Sequence, residues 1–155
     1  MISPALANGL TQIGEAGVGI SDWWIIGSAA ATLGGAEGPA PADIDLFGPR
    51  ASMLNFLRQW RQEERPHAPS NHFRSAPYQR VQFNNCLDIE VMGDLEVFAA
   101  SRWTPVALST RVAVKFRGHV LHIPSIDEQI ALLRLFGRPK DIARIESIEA
   151  SRRRF

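Results

Sequence analysis

Two short segments constrain this chain more than any others: Asp43-Ile44-Asp45-Leu46-Phe47 and Leu87-Asp88-Ile89-Glu90-Val91. In each, acids alternate with aliphatic residues at the period of a half-buried strand. The side chains of Asp43 and Asp45 therefore leave one face about 7 Å apart, while Ile44 and Leu46 leave the other. The same holds for Asp88 and Glu90. If a sheet makes the two strands neighbours, three or four carboxylates converge on one face. Two like charges 4 Å apart repel by about 4 kcal/mol at an effective dielectric of 20, so a fold that gathers them needs a cation. Hard oxygen ligands without a His or Cys cluster favour Mg²⁺ or Mn²⁺ over zinc. The chemistry such a site serves is phosphoryl or nucleotidyl transfer. For Asp-Ile-Asp alone, the solvent-facing strand of any α/β protein is the simpler reading, and what weighs against it lies upstream.

There, Trp23 to Ile26 reads as a buried strand, and Gly27 and Ser28 follow it and open an Ala-rich helical turn. That junction points backbone N–H groups and a hydroxyl at an anion. The rest of the chain alternates helix and strand. Helices are predicted over Pro4 to Gly17, around Met53, Leu54, Leu57 and Trp60 with an end before Pro66, and from Ser125 onward. Ser125 and Glu128 have the spacing of a capping box, and Gly137 and Pro139 close that helix. A last helix runs from Lys140 to about Arg152 with Ile142, Ile145 and Ile148 inward, and Arg152 to Arg154 form a short basic tail. Pro66 to Pro77 is a loop. Tyr78 to Phe83 and Cys86 to Met92 read as a hairpin about Asn84 and Asn85, and Val106 to Phe116 and His119 to Ile123 as further strands, with Trp103 in a connection.

Composition sets the outer bounds. The 155 residues are 45% hydrophobic and 21% charged, which fits a single domain over residues 1–155. A net charge of +1 excludes a global electrostatic pull toward nucleic acid or anionic lipid. One cysteine, Cys86, excludes a disulfide framework and fits a cytoplasmic setting. The most apolar stretch, Trp23 to Ala36, is broken by Gly and Ser and is shorter than the roughly 20 residues a membrane span needs.

Taken together, Ile26-Gly27-Ser28, a gap of fourteen residues and then Asp43-Ile44-Asp45-Leu46 resembles the signature of the DNA polymerase β-like nucleotidyltransferase superfamily. Asp88 supplies the later strand acid of that pattern. The segments Ser125-Ile126-Asp127-Glu128-Gln129-Ile130 and Arg138-Pro139-Lys140-Asp141-Ile142 are similar to the final helices of small bacterial nucleotidyltransferase-like proteins.

The resemblance implies an α/β (α+β) fold: a mixed sheet with helices packed on one face and a carboxylate cleft on the other. It also implies transfer of a nucleoside monophosphate from an NTP to an acceptor hydroxyl. On that reading Gly27 and Ser28 hold phosphates and Asp43 and Asp45 bind two Mg²⁺ (or Mn²⁺) ions. Asp88 binds one metal and helps deprotonate the acceptor, with Glu90 as the alternative third carboxylate. Lys140 reaches a phosphate, or else pairs with Asp141 beside it. Pro39 to Ala42 stand where members often carry Arg, Ser or Thr, which removes one phosphate or acceptor contact. The acceptor, a small molecule, a protein or an RNA end, would meet a shallow site built from loops or completed by a partner. The competing expectation is a non-catalytic nucleotide- or partner-binding module of the same fold.

Overall fold

The Ser3 hydroxyl accepts from the Leu6 N–H at 3.2 Å and starts the first helix, with Pro4 in its first turn. From there a computed structural model describes residues 2–68 and 70–153. The element order is α1 (Pro4–Ala16), β1 (Trp24–Ile26), α2 (Gly27–Leu33), β2 (Ile44–Gly48), α3 (Arg50–Gln59), β3 (Phe73–Arg74), β4 (Tyr78–Val81), β5 (Ile89–Gly93), β6 (Glu96–Ala99), β7 (Arg102–Pro105), β8 (Val112–Phe116), β9 (His119–Ile123), α4 (Ile126–Phe136) and α5 (Pro139–Arg153). Arg154 of the basic tail lies outside the described residues.

The central sheet has the order β1-β2-β5-β4. β2 runs parallel to β5, and the two outer pairs are antiparallel. A parallel neighbour requires a crossover, and α3 with the following loop and β4 supplies it. Period-2 alternation then sorts the strands' side chains. Ile25, Ile44, Leu46, Ile89 and Val91 face Leu6, Leu10 and Ile13 of α1 and Met53, Phe56 and Leu57 of α3, all of them buried. Each such side chain contributes about 1.5–3 kcal/mol on burial, which pins the register and so the direction of the alternate residues.

On the opposite face Ile26, Phe47 and Met92 pack with Leu95 and Leu132. α4 and α5 border this second face, so the acids of β2 and β5 open into a cleft between the sheet and that helix pair. The architecture is the expected mixed α+β one, with α1 and α3 on one face and the carboxylates on the other.

Several expectations change in detail. β6 and β7, and β3 within the expected Pro66 to Pro77 loop, are strands that the sequence reading missed, and Trp103 belongs to β7. The predicted strand from Val106 narrows to Val112–Phe116, because Ser109 and Thr110 instead donate their backbone N–H groups to Glu128 at 2.8 and 2.7 Å. Glu128 is thereby drawn away from Ser125, so only half of the capping box forms: the Ser125 hydroxyl accepts from Glu128 N at 3.2 Å, while Ser125 N donates to the Thr110 hydroxyl at 2.9 Å. In α5, Ile145 and Ile148 are buried as expected, but Ile142 is 46% exposed and Asp141 is 4% exposed. Among the described residues no helix is long and apolar enough to cross a membrane.

Candidate active site

The site forms where β1 turns into α2. Gly27 sits there at φ +68°, and a Cβ on it would lie 2.7 Å from Asp45 Oδ2, so both the backbone conformation and the close carboxylate require glycine. Asp45 is the cross-strand partner of Ile26 on one side and of Glu90 on the other. Asp43 stands one step before β2, where the Ile44 N–H donates to the Asp88 carbonyl at 2.9 Å. Carboxylate oxygens of Asp43, Asp45 and Glu90 all lie within 4.8 Å of one another.

Asp88 is not in this group. The sequence reading favours it as the third acid, but the register places Glu90 opposite Asp45, and Asp88 lies just before β5. Its Oδ2 accepts from Arg80 Nη1 at 2.9 Å and from Gln82 Nε2 at 3.4 Å. Arg80, which the sequence reading did not single out, stands opposite Glu90 in the β4–β5 pair. Its Nη2 donates to Glu90 Oε1 and lies 3.7 Å from Asp43 Oδ2. The only signal for it in the sequence is its place in the alternating run Tyr78, Arg80, Gln82.

The electrostatics reflect this crowding. Burial, the charges of Asp43 and Glu90, and a hydrogen bond to Glu90 push the Asp45 carboxyl up to about 8, with Lys140 acting in the opposite direction. Gathered carboxylates favour the protonated form of their most buried member in this way. The Tyr78 phenol is likewise raised, by burial and then by Glu90 and Asp45. Asp88 is held low by its hydrogen bonds to Arg80 and Gln82.

Two hollows adjoin the acids. One, of about 230 Å³, runs from Gly27 and Ser28 past Asp43 and Asp45 to Lys140 and Arg144. Lys140 enters this wall because Asp141 pairs elsewhere: Arg138 Nε donates to Asp141 Oδ2 at 2.6 Å and Nη2 to Oδ1 at 3.1 Å. Arg144 is held by the Pro39 carbonyl at 3.1 Å, beside the loop that lacks Arg, Ser or Thr before Asp43. The other hollow, about 70 Å³, is walled by Phe73, Tyr78, Met92 and Phe136. Arg138 lies over Phe73 and Phe136 at 5.1 and 5.3 Å. Roomier cavities elsewhere, of about 580 and 250 Å³, have no Asp or Glu in their walls.

An all-oxygen donor set of three acids fits Mg²⁺ or Mn²⁺. His119 and His122 lie away from it, on β9.

A mixed sheet with a Gly-Ser turn at the end of β1 and acids from two adjacent parallel strands is the nucleotidyltransferase-like fold. Two solved structures share it. One is TM1012 of Thermotoga maritima, a protein assigned as a nucleotidyltransferase: 18% identity, TM-score 0.76, covering 94% of this chain and 93% of that one. The other is the antibiotic-resistance factor ANT(2'')-Ia, with 12% identity and a TM-score of 0.55 over 94% of this chain and 83% of that one. No family model matches the sequence, and no curated protein does.

Proposed function

We propose that this chain, acting as a single domain, is a Mg²⁺- or Mn²⁺-dependent nucleotidyltransferase that moves a nucleoside monophosphate from an NTP to an acceptor hydroxyl. The observation that carries the reading is the meeting of Asp43, Asp45 and Glu90 oxygens within 4.8 Å beside the Gly27 turn. Nucleotidyltransferases with the same fold support it in general terms.

In this reading Asp43, Asp45 and Glu90 hold the metal, with Glu90 in the role the sequence pattern gives to Asp88. The bound ion supplies charge neutralisation for the polyphosphate and the leaving oxygen. Ser28 and Lys140 bind phosphate oxygens across the 230 Å³ cleft, and Gly27 lets the chain approach closely enough to do so. The acceptor oxygen forms a bond to the α-phosphorus, the bond to the β-phosphate oxygen breaks, and pyrophosphate leaves. The acceptor's proton passes to a carboxylate of the cluster. An antibiotic hydroxyl, a protein side chain and an RNA end each satisfy this chemistry. The single thiol, Cys86, is free, in keeping with a cytoplasmic location.

One observation favours the second reading, a non-catalytic binding module: Arg80 already pairs with Asp43, Asp88 and Glu90. Incubation with labelled ATP, GTP, CTP and UTP, Mg²⁺ and candidate acceptors separates the two. Label transferred by the wild type and not by Asp45→Asn is the expected result; saturable nucleotide binding with no transfer overturns catalysis and leaves the module.

A further inference from the structure

We propose that Arg80 takes the place of one divalent ion, so that the carboxylates admit one metal where the resemblance implies two. The inference rests on the metal-dependent reading above and deepens it.

The cluster has two unlike sides. Asp43 and Asp45 face the cleft that contains Ser28 and Lys140, and the guanidinium groups in its wall bond elsewhere, Arg138 to Asp141 and Arg144 to the Pro39 carbonyl. On the other side, the fork of Arg80 joins Glu90 through Nη2, approaches Asp43 at 3.7 Å with the same nitrogen and is anchored to Asp88 through Nη1 at 2.9 Å. A cation bridging Asp43 and Glu90 would need the oxygens that Nη2 occupies. Arg80 supplies a fixed positive charge at that spot, and a guanidinium keeps its charge at any working pH. Asp88 is then a positioning residue: its carboxylate satisfies the second arm of the fork and aims the first at the cluster. The Nη2 bond is to Oε1 of Glu90, and the carboxylate's second oxygen remains for the single metal.

Titration of the purified protein with Mn²⁺ alone, following free Mn²⁺ by electron paramagnetic resonance, tests this without reference to activity. The wild type should bind one ion and Arg80→Met two, the second at least tenfold more tightly than any second ion in the wild type. Arg80→Lys, which keeps the charge, should stay at one. Asp88→Asn should tighten the second ion at least threefold by loosening the fork, and this variant decides the matter if Arg80→Met does not fold. Two ions bound equally by the wild type and Arg80→Met would overturn the role of Arg80 and leave the transferase reading standing. An unchanged second site in Asp88→Asn would overturn the anchoring role. Failure of every variant and the wild type to bind Mn²⁺ would overturn both.

Discussion

Asp45 Oδ2 lies 2.7 Å from the position a Cβ on Gly27 would take, so the Gly27-Ser28 turn and the acidic cluster are in direct contact. Gly27 also holds φ at +68°, where an L side chain is strained. Gly27→Ala is therefore expected to cost about 1–3 kcal/mol of stability and to abolish nucleotide binding. Combining it with Asp45→Ala should recover part of the stability loss, because the second change removes the clashing oxygen; urea denaturation of the four proteins of this cycle measures the coupling.

The raised Asp45 carboxyl predicts an inverted pH profile for the protein without metal. Its carboxyl titrates near 8 in the fold and at its ordinary value of 3.8 when unfolded, so the native state binds the extra proton between those values and stability falls as pH rises through that window. The expected loss from pH 4.5 to 8.5 is on the order of a few kcal/mol. Asp45→Asn should flatten the profile and melt higher than the wild type at pH 8. Mg²⁺ with NTP should restore the wild type at pH 8, by about 2.7 kcal/mol at a hundred times the dissociation constant, and leave the mutant nearly unchanged. Equal ligand shifts in both proteins would remove Asp45 from the metal.

Glu90 and Asp88 are separable by mutation. Glu90→Gln should weaken Mn²⁺-dependent nucleotide binding at least tenfold, since it removes one acid of the triple. Asp88→Ala should change affinity for the first ion less than threefold, because its carboxylate contacts Arg80 and Gln82 instead. Equilibrium dialysis with labelled nucleotide ranks the two, and the opposite order returns the ligand role to Asp88.

The phase of α5 gives a test independent of chemistry. Ile142→Gln at a 46% exposed position should alter stability by no more than about 0.5 kcal/mol. Ile145→Ala, in the buried stripe, should cost about 2–5 kcal/mol. Thermal melts of the two single mutants are sufficient to compare them.

Ile142 also shows how far periodicity reaches. Its i, i+3 spacing with Ile145 points inward, yet the helix start is set by Arg138, whose fork and backbone N–H all bond to Asp141. A buried Asp141 takes the inward place at that turn, and Lys140 lies at the cleft as a result. Ser125 and Glu128 are similar. The spacing carries the cap hydrogen bond that forms, but Glu128 is claimed by Ser109 and Thr110, nineteen and eighteen residues away.

The amino-acid sequence alone determines what local geometry can carry. Alternation puts Asp43, Asp45, Asp88 and Glu90 on one face of their strands, and the Gly27-Ser28 turn follows a buried strand. The order of these elements was enough to bring the fold into view. Which acids meet was decided only by tertiary pairing. A period of two cannot distinguish Asp88 from Glu90, since both point the same way; the parallel register that sets Asp45 against Glu90 does so, and that register comes from the burial of Ile44, Leu46, Ile89 and Val91 against α1 and α3. Arg80 was illegible for the same reason. It is an ordinary polar residue of an alternating strand until β4 pairs with β5 and sets its guanidinium opposite Glu90. Local pattern fixes the direction of a side chain, whereas its partners depend on long-range packing between segments far apart in the chain.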